Sequence, residues 1–100
     1  MRHVILAAAL VAAAPAAWAG PIERACIQSN RSAGNRALCG CIQQAADLTL
    51  STREQSRAAK FFTDPHQAQV VRQSDRRTDE EFWQRYKMFG ETAEAYCGGA

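Results

Sequence analysis

Ala37-Leu38-Cys39-Gly40-Cys41-Ile42-Gln43 is the stretch on which the fold turns. It sits in a helical pattern in which Leu38, Cys41, Ile42, Ala45 and Leu48 form an apolar stripe. On a helix, residues two apart point about 200° away from each other. Cys39 and Cys41 therefore cannot bond to one another while the helix is intact. Each must reach a different partner in a roughly opposite direction. The helix that carries them, expected from Asn35 to about Leu50, is thus sandwiched between the first helix and the last. The only other cysteines are Cys26 and Cys97, one for each side. Cys26 and Cys41 lie nearly equidistant from a turn around Ser32 to Gly34, and equidistant positions meet in an antiparallel hairpin. That geometry favours Cys26–Cys41 with Cys39–Cys97 over the swap, Cys26–Cys39 with Cys41–Cys97. The swap stays open because the turn centre is uncertain by a residue or two.

The flanking helices are marked by their caps. Pro21 after Gly20 opens a first helix, expected to run to about Ser32 with Gly34 as its stop. Asn35 is the N-cap of the next. Ser51-Thr52-Arg53-Glu54 is a capping box that opens a third helix with Ala58, Phe61 and Phe62 on its apolar face. Asp64-Pro65-His66-Gln67 repeats the logic for a short fourth helix carrying Ala68 and Val71 and ending near Gln73. Thr78-Asp79-Glu80-Glu81 reads as a further capping box, and its carboxylates suit the positive end of the helix dipole. The last helix has Phe82, Tyr86, Phe89, Ala93 and Tyr96 at helical intervals. Glu81–Arg85 and Lys87–Glu91 are i,i+4 pairs on its wet side. No sustained alternation of apolar and polar residues marks a strand. The fold class is all-α: a small disulfide-stapled bundle of four to five short helices.

The N-terminus adds a location. Arg2 and His3 precede an apolar run from Val4 to Ala14, then Pro15 and the small-residue stretch Ala17-Trp18-Ala19. This is the n-region, h-region and A-x-A site of a cleaved signal peptide, residues 1–19. Residues 20–100 are then one helical domain of a periplasmic or secreted protein. An exported chain with an even cysteine count is a disulfide framework. By loop entropy, a bridge from Cys26 into the second helix contributes about 3 kcal/mol and one from Cys97 about 4 kcal/mol.

Composition excludes several functions. Twelve basic residues against ten acidic ones give +2, or +1 once Arg2 is removed. A dedicated nucleic-acid binder shows a strong basic excess instead. No second apolar stretch follows the signal, so the mature chain has no membrane span. The C-x-C spacing departs from the paired C-x₂₋₄-C of a zinc site, and no C-x-x-C redox motif is present. No metal and no cofactor is expected. His66 with Asp64 two residues before it suggests an acid/base pair, but capping and a solvated first turn account for both. Ser51, Ser74 and Thr78 are likewise caps or loop residues, and the chain reads as no enzyme.

What remains are contact candidates. Trp83 lies beside the aromatic stripe, and tryptophan is enriched at binding hot spots. Arg72, Arg76 and Arg77 form one basic cluster, while Arg53, Arg57 and Lys60 form a basic ridge at helical spacing. Together with His66, Trp83 and the first cluster are the candidate partner or ligand contacts. A ligand with a guanidinium would want a carboxylate fork, and Glu23, Asp47, Asp75 and Glu94 are available, though no spacing singles them out.

Ala25-Cys26, Ala37 to Gln43, Phe61-Phe62 with Asp64-Pro65-His66, Arg72 to Asp75, and Phe82-Trp83 together carry a resemblance. The chain resembles a family of small exported alphaproteobacterial proteins of unassigned function, some of which are labelled "arginine transporter". The resemblance spans nearly all of residues 20–100 and implies no catalytic or binding residues. A domain of this size without a span forms no transport path, so the label implies at most an accessory. The reading is a non-enzymatic interaction or accessory protein with a protein partner. The alternatives are a component of amino-acid (arginine) transport or binding, and a redox or metal-handling protein.

Overall fold

A computed structural model describes residues 20–29 and 35–98. The expected signal peptide and the stop at Gly34 lie outside the described residues. Five helices occupy them: α1 Pro21–Gln28, α2 Arg36–Thr49, α3 Thr52–Thr63, α4 His66–Arg72 and α5 Arg77–Cys97. There is no strand among the described residues. The protein is a small all-α bundle stapled by two disulfides.

Local chemistry starts three of these helices as the sequence suggests. The Asn35 side chain accepts the Leu38 N–H at 3.0 Å and caps α2. Ser51 and Glu54 close a reciprocal capping box on α3, at 3.2 Å and 3.0 Å. Pro21 takes the first position of α1, where its missing N–H costs nothing. Gly20 brings no side-chain cap of its own. Gln43 on α2 supplies one: its Oε1 accepts the N–H of Glu23, twenty residues earlier, at 2.8 Å.

The bridges are Cys26–Cys39 and Cys41–Cys97. This corrects the preferred pairing and realises the swap. The physical reason is where α1 stops. It ends at Gln28 rather than near Ser32, and α2 begins at Arg36. The point midway between those ends is nearly equidistant from Cys26 and Cys39, not from Cys26 and Cys41. The opposed directions of Cys39 and Cys41 hold: one bonds α1 and the other α5. Accordingly α2 packs between α1 and α5, while α1 also lies on α3, and α4 bridges α3 and α5.

Being held on two sides changes which face of α2 is buried. Cys39, Gln43, Ala45 and Ala46 are buried, while Leu38, Cys41 and Ile42 are half-buried. Leu48, expected in the stripe, is 67% exposed. Tyr96 is a second departure, at 68% exposed. The Cys41–Cys97 bond turns Cys97 inward, and the adjacent residue then points about 100° away.

Ile22, Ala45, Ala46, Leu50, Ala58, Phe61, Val71, Phe82 and Phe89 form the core. Tyr86 is the hub of its aromatic part, with ring centroids 5.0 Å from Phe61, 5.2 Å from Trp83 and 5.7 Å from Phe89. Phe61 meets Phe82 and Tyr86 edge-on, a favoured arrangement of aromatic quadrupoles.

The termini of α4 and α5 also depart from expectation. Pro65 has helical angles (φ −58°, ψ −23°) but immediately precedes α4. Asp64 ends α3, its carbonyl accepting the Gln67 N–H at 3.0 Å. Thr78 is no N-cap: α5 begins one residue earlier, after Arg76. Nor does Glu81 keep Arg85, whose Nε donates to Glu54 of α3.

Candidate functional site

The site forms where α4 turns into α5. Val71 and Arg72 from the last turn of α4, Ser74 from the connection, and Glu80, Glu81, Trp83 and Gln84 from the first turns of α5 line an open groove of about 510 Å³. Its position follows from the local fold. Val71 is buried and pins α4 to the core, which leaves the adjacent Arg72 exposed at the rim. Phe82 is buried, so Trp83 one position on emerges at the edge, half-buried, with its inner face stacked on Tyr86.

The back of the groove is braced by charge. Ser74 Oγ donates to Asp79 Oδ2 at 2.7 Å and accepts the Arg76 N–H at 3.1 Å, which fixes the connection. Arg57 of α3 bonds Asp79 Oδ1 at 2.5 Å, with its guanidinium 4.6 Å above the Phe82 ring centroid. The Arg57 and Ser74 hydrogen bonds hold the Asp79 carboxyl below its ordinary value of 3.8. A second brace joins the same helices at Glu54. Burial pushes the Glu54 carboxyl up, but the Ser51 N–H and the Arg85 guanidinium outweigh this and leave it below its ordinary 4.5. The first turns of α5 are thereby tied to α3 at two points.

The candidate residues divide. Trp83 and Arg72 come together in the groove. His66 is exposed at the start of α4 and is not among the lining residues. Arg76 and Arg77 are exposed and also lie off the lining, although the Arg76 charge helps to lower Asp79. All four cysteines are bonded and belong to the scaffold. Of the carboxylates named for a guanidinium, Glu23, Asp47, Asp75 and Glu94, none lines the groove. Glu80 and Glu81 do; the sequence alone suggests for them only roles within α5, in a capping box, at the positive end of its dipole and, for Glu81, as the i,i+4 partner of Arg85. One signal pointed to them: Glu80, Trp83 and Gln84 are three and four residues apart, so they share a helix face.

Chemically the groove offers one guanidinium, two carboxylates, a primary amide and an indole face. The Ser74 hydroxyl donates to Asp79, whose carboxylate is also held by Arg57. Among the described residues, no three His, Cys, Asp or Glu side chains are grouped to hold a metal ion, and no helix is long and apolar enough to cross a membrane.

Comparison of the chain with protein-family models, with curated proteins and with solved structures found no match in any of the three.

Proposed function

We propose that this is a small exported protein of the periplasm that acts without enzymatic activity, as an interaction or accessory protein, and meets its partner through the α4–α5 groove. The observation that carries the reading is Trp83. It is half-buried, stacked on one face and set among Arg72, Glu80 and Glu81 in an open groove. Tryptophan and arginine are among the side chains most enriched at binding hot spots, and the groove presents one of each. Two disulfides support an oxidising compartment, and the pattern of residues 1–19 supports export.

A second reading has one observation in its favour. Arg72 and the pair Glu80 and Glu81 line the same groove as Trp83. A basic amino acid such as arginine would put its carboxylate on Arg72 and its guanidinium on the carboxylates and the indole. That would make the protein an accessory of arginine transport or binding. A redox or metal-handling role has the least support, because it needs reduced thiols and all four cysteines are bridged.

The test is a photo-crosslinker at position 83 in intact cells, with position 48 as the control. A discrete adduct from position 83 and none from 48 supports the partner reading. No adduct from 83 sinks it. Trp83 is the only tryptophan of residues 20–100, so its emission reports on the groove. A saturable shift with arginine, absent in Glu80→Gln/Glu81→Gln, would move the conclusion to the second reading.

A further inference from the structure

The two bridges differ in access and in what they hold. Cys26 and Cys39 are both 0% exposed, so their bond is sealed inside the bundle. Cys97 is 4% exposed, but its partner Cys41 is only half-buried. Ala37, Gln44 and Leu48 surround Cys41 on its own helix face and are exposed, so this side of α2 opens to solvent. The helix at the other end of the bond is held unevenly. Over residues 79–89, Phe82 and Phe89 are in the core, Tyr86 packs against it, and Arg57–Asp79 and Arg85–Glu54 tie α5 to α3. Over residues 90–98 the one buried side chain is that of Cys97, and Thr92 and the small Ala93 are half-buried. The last two turns of α5 are thus fastened to α2 chiefly by the bond itself, and so short a helical end without packing is marginal.

We propose that Cys41–Cys97 is a site of thiol–disulfide exchange with a dithiol reductant, and that opening it releases the last two turns of α5 while the rest of the bundle stays closed. One thiolate of the reductant attacks Cys41 Sγ, the sulfur on the open side. A bond forms from the reductant to Cys41, the Cys41–Cys97 bond breaks, and the electron pair leaves on Cys97, which takes a proton from water. The second thiolate of the reductant then displaces Cys41. The dithiol ends as a disulfide, and Cys41 and Cys97 end as thiols. The freed Cys41 cannot turn on the other bridge, because Cys39 points to the opposite side of an intact helix. Reoxidation therefore restores the same bond. The chain is here the substrate of a redox partner rather than a redox enzyme, and nothing in this depends on the α4–α5 groove.

The experiment treats the oxidised protein with dithiothreitol under native conditions, alkylates samples over time and maps the peptides. The expected first product carries alkylated Cys41 and Cys97 with Cys26–Cys39 intact. The second bond should open at least about tenfold more slowly, because its attack waits on wider unfolding. Reduced glutathione, quenched early, should leave its mixed disulfide on Cys41 rather than Cys97. In the ¹⁵N-labelled two-thiol product, amides of residues 91–97 should fall below an order parameter of about 0.6, while those of 79–89 stay at about 0.85. Cys41→Ser/Cys97→Ser should show the same loosened end with no reductant present. The proposal is overturned if Cys26–Cys39 opens first or at the same rate, or if glutathione is found on Cys97. It is equally overturned if residues 91–97 stay ordered once the bond is open, or if opening it unfolds the whole bundle.

Discussion

Replacing Gln43 by leucine should be among the most damaging single changes outside the aromatic core. Gln43 is 8% exposed, and its amide makes three hydrogen bonds across three helices. Oε1 caps α1 through the Glu23 N–H at 2.8 Å, and Nε2 donates to Gln55 Oε1 at 2.7 Å and to Asp47 Oδ1 at 2.9 Å. Leucine fills the space but leaves the Glu23 N–H and the Gln55 carbonyl without these partners. Stranding a buried polar group costs about 1–3 kcal/mol, and losing a helix cap costs about 1 kcal/mol. Asp47 is exposed and recovers by turning to water. The sum is about 3 kcal/mol, which for a domain of this size lowers Tm by about 12–24 °C. The assay is thermal unfolding followed by far-ultraviolet circular dichroism, with a urea titration to confirm an unchanged m value. Gln55→Leu alone and combined with Gln43→Leu completes the cycle. The two losses should be strongly sub-additive, since one bond is shared. A drop of less than about 4 °C, or full additivity, would refute the view that one amide ties the three helices together.

Other outcomes follow from the same geometry. Gly20→Ala should destabilise the α1 start, because a Cβ there would meet the Gln43 amide at 2.4 Å; the same thermal scan checks it, and an unchanged Tm would contradict the contact. Removing Cys41–Cys97 as a double serine variant should cost about 4 kcal/mol and removing Cys26–Cys39 about 3 kcal/mol, since the closed loops differ in length; urea midpoints under oxidising conditions give both. Asp79 and Glu54 sit below their ordinary values of 3.8 and 4.5 in the fold, so their stabilisation is present above pH 4.5 and is lost as the pH falls. Asp79→Asn should therefore lower Tm at pH 7 and lose that difference by pH 2. Leu48→Lys should shift stability by no more than about 0.5 kcal/mol, because the side chain is 67% exposed.

Much of the helical order was legible because it is set by neighbours in sequence. Asn35, Ser51 and Glu54 act within three residues of themselves, and the cap geometry needs nothing distant. The opposed directions of Cys39 and Cys41 were legible for the same reason. What escaped depends on long-range partners. Thr78 reads as a cap until Arg57, more than twenty residues earlier, takes Asp79 and Ser74 ties the connection. Arg85 reads as the partner of Glu81 until Glu54 arrives from α3. Gln43 and Gln55 look like surface residues and are buried, because each finds the other and Gln43 also finds the first turn of α1. The disulfide pairing hung on the last residues of α1, and helix ends are what local patterns fix least well. At the site, Trp83 was visible by type, but its grouping with Arg72 and Glu80 needed the turn between α4 and α5.

The order of the bridges has a consequence for how the molecule is made. Along the chain the cysteines pair first with second and third with fourth, so the two covalent rings do not interlock and are joined through Gly40 alone. A chain that enters an oxidising compartment N-terminus first can close the small ring as soon as Cys39 emerges. The next thiol, Cys41, then has a single partner left to wait for. An oxidase that simply joins successive thiols in order of arrival therefore makes the native molecule without any isomerase to correct it.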